Sequence, residues 1–200
     1  MTGVDPKSLP AVVQAVQEMY RGCLTIYTDH IDLKKIKEWR DATGIEPSEE
    51  TVQAGYRKYA EQVAMGAFRF LRKIISVRPN LPEAFVQEIY QKYFGWDRFY
   101  DMAALREETG VIPEIAEETV QAKYSELFGF PDSSSLNLID RLRTATGIEP
   151  RLPEEDIQHV YEKDAKSGIV WRIKQIREIT GIEPSEKVYQ TFISFLELKN

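Results

Sequence analysis

Apolar residues recur along this chain at intervals of three and four, the spacing of one helix face, and show no strand-like alternation. From about Pro10 the first such face carries Val13, Val16, Met19, Tyr20, Cys23 and Leu24. Each apolar run ends at a break containing Gly or Pro, and a new run then begins. The pattern predicts short helices joined by turns and an all-α fold.

The breaks are copies of one another. Thr43-Gly44-Ile45-Glu46-Pro47 returns as Thr109-Gly110-Val111-Ile112-Pro113, Thr146-Gly147-Ile148-Glu149-Pro150 and Thr180-Gly181-Ile182-Glu183-Pro184, with a degraded copy at Ile75-Ser76-Val77-Arg78-Pro79. Successive copies are 32, 34, 37 and 34 residues apart. Five residues before the Gly stands an apolar residue, Trp39, Leu71, Leu105, Leu142 or Ile176, followed by Arg40, Arg72, Arg106, Arg143 or Arg177. A glycine just past a helix enters the left-handed region at little steric cost, and a Pro soon after cannot continue the helix. Each copy therefore reads as a helix stop, with the residue after Gly folding back on the last helical turn: Ile45 on Trp39, Ile148 on Leu142. Ser76 stands where Gly stands elsewhere. A left-handed Ser76 would be strained, and Ser76→Gly would then raise the melting temperature.

A second motif shares the period. Val-Gln-x-x-Tyr occurs at Val16, Val52, Val86 and Val120, and varies to Ile157-Gln158-Tyr161 and Val188-Tyr189-Phe192. Two motifs with a common period in the mid-thirties predict an α-solenoid of about five and a half helix-turn-helix repeats with a period of roughly 35 residues. Each repeat has a first helix, A, carrying Val-Gln-x-x-Tyr, and a second, B, closing on the Gly motif. Residues 1–9 are expected to be a flexible lead-in and residues 10–200 a single repeat domain. Helix A2 should start near Pro47 with Ser48 as its cap and Glu49 and Glu50 in its first turn. Gly66, Gly95, Gly129 and Gly168 are expected to break the A–B hairpins, with the longest turn at Gly129–Ser135. Helix A6 should cover about Ser185 to Leu198.

Helix pairs closing on Gly-Ile-x-Pro resemble pentatricopeptide repeats; tetratricopeptide repeats are the nearest alternative. Either resemblance implies an α-solenoid. The pentatricopeptide resemblance further implies RNA binding through a polar residue six after the closing Pro. Gln53 holds that place after Pro47, whereas Gln121 and Gln158 stand eight after Pro113 and Pro150.

Composition narrows the function. The net charge of −6 makes nucleic acid an unlikely partner, because such binding depends on neutralising phosphates. No apolar run reaches the roughly 20 residues of a membrane span, and the first residues lack the basic start and apolar core of a signal peptide. A cytoplasmic, non-membrane protein is expected. The single Cys23 excludes an intramolecular disulfide and reads as a buried thiol. No phosphate loop or metal-ligand spacing is present, His30 and His159 stand alone, and neither cofactor nor catalysis is expected.

The candidate chemistry lies in three places. Gln17, Gln53, Gln87, Gln121 and Gln158 fall about 100° from the apolar stripe and would stack into one row. That row could line a binding face, or each amide could bond backbone of an adjacent repeat. The Arg column could bind phosphate, or could pair with the acidic first turn of the next A helix. The last helix carries more apolar surface than one stripe requires. Tyr189, Ile193 and Leu198 are the candidate interface, with a second copy of the chain the simplest partner. The expected function is a non-enzymatic scaffold for a protein or peptide, the alternative being an RNA-binding solenoid of pentatricopeptide type.

Overall fold

The computed structural model describes residues 6–25, 30–129 and 132–197. Among these the chain is all-α, with eleven α-helices and no strand. They are α1 (Pro10–Thr25), α2 (His30–Thr43), α3 (Glu49–Glu61), α4 (Met65–Ile74), α5 (Glu83–Gly95), α6 (Phe99–Thr109), α7 (Glu117–Phe128), α8 (Ser133–Thr146), α9 (Glu154–Ser167), α10 (Val170–Thr180) and α11 (Glu186–Glu197). The odd-numbered helices carry Val-Gln-x-x-Tyr or its variants; the even-numbered ones run up to the Gly motif. The expected lead-in contains a short 3₁₀ turn at Pro6–Ser8. Thr28, Asp29, the His30 side chain, Phe130, Pro131 and Leu198 lie outside the described residues.

The chain divides into two compact units, one of residues 1–96 with 104–111, the other of residues 97–103 with 112–200. In the first unit α1 packs on α2 and α3, and α3 on α4; in the second α7 packs on α8, α9 on α10, and α9 and α11 lie close along their length. Both cores are built from the same positions. Val16, Val52 and Val86 in the first unit and Val120, Ile157 and Val188 in the second are buried, as are Tyr20, Tyr56, Tyr90, Tyr124 and Tyr161. Burying residues one turn apart fixes the inward face of α1, α3, α5, α7 and α9; in α11 Val188 alone is buried.

The A helices from α3 onward begin with an acidic first turn, as expected. Ser48 caps α3 by accepting the Thr51 N–H at 3.3 Å, and Asp132 caps α8 by accepting the Ser135 N–H at 2.7 Å. Ser133, Ser134 and Ser135 are therefore the first turn of α8, not part of a long loop. Helix ends follow the Gly pattern at four copies: φ is 66° at Gly44, 75° at Gly110, 77° at Gly147 and 71° at Gly181. The degraded copy differs from expectation. α4 stops at Ile74, and Ile75 leaves it in the extended region with φ −123° and ψ 130°. Ser76 has no positive φ. Its Cβ penalises the left-handed region, and the helix ends a residue early instead.

The A–B turns also differ. Of the four glycines expected there, Gly168 alone has a positive φ, while Val63 and Asp97 take φ of 57° and 54°. α3 and α9 end in the same way. The Ala64 N–H donates to the Tyr59 carbonyl across Val63, and the Ile169 N–H to the Asp164 carbonyl across Gly168, both at 2.9 Å. One sequence puts a β-branched residue where the other puts Gly. We expect Val63→Gly to stabilise the protein by about 1 kcal/mol, the steric relief outweighing the added chain entropy. A thermal melt checks this; an unchanged or lower midpoint contradicts it.

Candidate functional site

The two recurrent motifs hold each other. From α1, the Tyr20 hydroxyl donates to the Ile45 carbonyl at 2.7 Å. One turn earlier, the Gln17 amide donates to the Glu46 carbonyl at 2.7 Å and accepts the Ser48 N–H at 2.8 Å. Pro47, which has no N–H, lies between the two gripped groups. The arrangement returns at α3. Tyr56 donates to Val77, and Gln53 bridges the Arg78 carbonyl and the Asn80 N–H around Pro79. It returns at α7, with Tyr124 on Ile148 and Gln121 bridging Glu149 and Arg151. It returns again at α9, with Tyr161 on Ile182 and Gln158 bridging Glu183 and Ser185. From α5, Tyr90 donates to the Val111 carbonyl at 2.7 Å; Gln87 holds the equivalent position of that helix.

The amides of Gln17, Gln53, Gln121 and Gln158 are thus engaged on both sides by backbone. Each pair of bonds satisfies loop groups that would otherwise need water, contributing about 1 kcal/mol per bond. The tyrosines do the same from the core. Burial pushes the hydroxyls of Tyr56, Tyr90, Tyr124 and Tyr161 up to about 12.

A threonine completes the device, and it was missed when the motif was read from its glycine. The Thr43 hydroxyl donates to the Trp39 carbonyl at 2.7 Å and accepts the Ile45 N–H at 3.2 Å. Thr109, Thr146 and Thr180 do likewise at their helix ends. The available signal was its presence at every copy with a Gly and its replacement by Ile75 at the copy without one.

Arg40, Arg72, Arg143 and Arg177 do not meet the acidic first turns as expected. Arg40, Arg143 and Arg177 approach the Glu of their own closing motif, Glu46, Glu149 and Glu183, at 3.9, 3.7 and 3.6 Å. Those carboxylates are exposed, so each pair contributes little. Arg40 also donates to the Ile74 carbonyl at the end of α4, and Arg143 to the Glu178 carbonyl at 3.5 Å. Arg72 pairs with Glu108. A cation at a helix C-terminus is favoured by the dipole, and the carbonyls are nearer than the next acidic turn.

On α11, Tyr189, Ile193 and Leu196 are half exposed and spaced to form one outward stripe. Val188 is buried against the core. Phe195 lies over the α9–α10 turn, where a Cβ on Gly168 would fall 2.4 Å from its ring. The clasp residues are replaced here: Tyr189 stands at the Gln position and Phe192 at the Tyr position.

Between α7 and α9 the surface opens into a cavity of about 630 Å³, lined by Ser125, Phe128, Asp156, Val160, Lys163 and Arg172 among others. His159 also faces it. Beneath it the fully buried Asp164 accepts from Arg172 Nε at 2.6 Å. Among the described residues no group of His, Cys, Asp and Glu is placed to hold a metal ion, and no helix is long and apolar enough to cross a membrane.

No family model matches this chain, and neither a curated protein nor a solved structure matches it.

Proposed function

We propose that the chain is an α-solenoid of about five and a half helical-hairpin repeats, a single array over residues 10–200, that serves as a non-catalytic scaffold for a protein or peptide partner. The observation that carries this reading is the repeated clasp. The recurring polar residues Gln and Tyr spend their hydrogen bonds holding each repeat's closing loop, leaving the non-recurring surface residues to provide specificity. That is the division of labour of a repeat scaffold. The pentatricopeptide-like or tetratricopeptide-like reading rests on the period and the helix-end motif. The exposed stripe Tyr189, Ile193 and Leu196 supports a second contact surface, with a second copy of the chain docking on α11. A cytoplasmic protein without a cofactor fits this reading.

Affinity capture after nuclease treatment tests the scaffold, with single-stranded RNA as the competing ligand. Retention of a protein partner with no salt-sensitive RNA shift is the expected result. RNA binding at micromolar affinity or tighter would overturn the protein reading in favour of the pentatricopeptide one. Light scattering across a dilution series, for the parent and for Ile193→Glu, tests the α11 contact. A parent chain that stays monomeric throughout would overturn it.

A further inference from the structure

We propose that the groove between α7 and α9 is the peptide-binding site, and that it takes a bulky aromatic side chain with an acidic neighbour. This rests on the scaffold reading and names the site and the ligand chemistry.

Two equivalent helix pairs within the chain, α3 with α5 and α7 with α9, differ in what fills the gap between them. In α3 and α5 the corresponding gap is closed by three side chains. The Arg57 guanidinium lies over the Phe85 ring, 5.3 Å from its centre. Tyr93, fully buried, reaches across to donate to the Ala60 carbonyl at 2.6 Å. Aligning Val52 with Val120 and Val86 with Ile157 puts Ser125 at the Arg57 position, Asp156 at the Phe85 position and Asp164 at the Tyr93 position. All three replacements are short. Asp164, moreover, is turned into its own hairpin by Arg172. Two rings and a guanidinium are therefore absent from the gap between α7 and α9, and the cavity of about 630 Å³ lies there. Val160 is half exposed, while Ile89 at the equivalent place in α5 is buried.

The vacated volume selects the ligand. The floor of Phe128 and Val160 is apolar and suits a ring, and the cavity falls within the usual range of about 300–1,000 Å³ for a ligand site. The charges orient it. Arg172 is paired with Asp164, and helix N-termini offset the two other carboxylates of the lining, Asp132 as the cap of α8 and Asp156 in the first turn of α9. Lys163 has no side-chain partner among the described residues and lies two turns, roughly 10 Å, along α9 from Asp156. An acidic group beside the ring meets the Lys163 ammonium, whereas a basic one would face an uncompensated cation.

Amide resonances of the full chain, followed by NMR during titration with a capped pentapeptide, test this. The peptide has a central tyrosine followed by glutamate; controls carry alanine for the tyrosine or glutamine for the glutamate. Saturable shifts at Ser125, Val160 and Lys163 are expected with the parent peptide. Loss of the ring should abolish them, and loss of the carboxylate should weaken binding about tenfold, as for one charge-assisted contact. Lys163→Ala should erase the difference between glutamate and glutamine. The double variant Ser125→Arg with Asp156→Phe rebuilds the α3–α5 closure and should bind no peptide at unchanged helix content. If it misfolds, Lys163→Ala alone decides the matter. Shifts confined to other A helices would overturn this site but leave the scaffold reading intact. No saturable shift anywhere, or undiminished binding by a folded double variant, would overturn the site outright.

Discussion

Tyr124→Ala will lower the stability of the protein by about 3–5 kcal/mol, and Tyr124→Phe by about 1–2 kcal/mol. Tyr124 is fully buried and its hydroxyl is bonded to the Ile148 carbonyl at 2.7 Å. Truncation to Ala removes the ring and leaves a cavity between α7 and α8. Truncation to Phe keeps the packing but leaves the Ile148 carbonyl without its donor. The ratio of the two losses separates the packing role from the clasp. The larger loss is comparable to the whole stability of many domains, roughly 5–15 kcal/mol. Chemical denaturation of both variants measures it. Equal losses would show that the hydroxyl carries the whole effect and the ring none.

Alkali should unfold the protein cooperatively between pH 10 and 12. Burial raises Tyr56, Tyr90, Tyr124 and Tyr161 from 10.0 to about 12. Desolvation of the phenolate is the main cause. At Tyr90, Tyr124 and Tyr161 a hydrogen bond with the adjacent threonine pulls weakly the other way. The folded state holds these protons more tightly than the unfolded one. Their contribution is therefore complete below the unfolded value of 10 and is lost as pH rises towards 12. Two pH units correspond to roughly 2–3 kcal/mol per tyrosine, and each compact unit of the chain holds two of the four, a loss comparable to the lower end of a domain's total stability. Unfolding should accordingly precede full titration. In a variant whose exposed tyrosines, Tyr100 and Tyr189 among them, are replaced by Phe, the loss of ellipticity and the phenolate absorbance of the buried tyrosines should coincide. Phenolate formation by the buried tyrosines near pH 10 with the helices intact would contradict the assignment.

Much of the fold was legible because it is written several times. Helix type, helix ends and the left-handed glycines at Gly44, Gly110, Gly147 and Gly181 all follow from local rules that tertiary context did not override. Backbone was already an open alternative for the Gln row; hidden from a linear reading was that this backbone belongs to the other motif. Gln17 and Glu46 are 29 residues apart, Gln53 and Arg78 only 25, so no fixed offset linked them. The left-handed Val63 and Asp97 were also invisible, since propensity points to the neighbouring glycines while the turn geometry is set by packing. The exposed stripe on α11 was partly read: Tyr189 and Ile193 lie on it, and Leu196, spaced seven from Tyr189, belongs with them. The groove between α7 and α9 needed coordinates. Only with α3 and α5 superposed in register do Ser125, Asp156 and Asp164 become omissions instead of ordinary surface residues.

The clasp has a consequence for how such a chain can change length. In each complete copy Tyr grips one carbonyl, Gln grips the next, and Gln also holds the N–H just past the Pro. That four-residue window keeps its register although the hairpins around it differ in length. The differences in length between these copies fall outside the window and not within it. The windows are therefore natural crossover points. Segments joined there would keep every hydrogen bond of the junction whatever the size of the hairpins recombined.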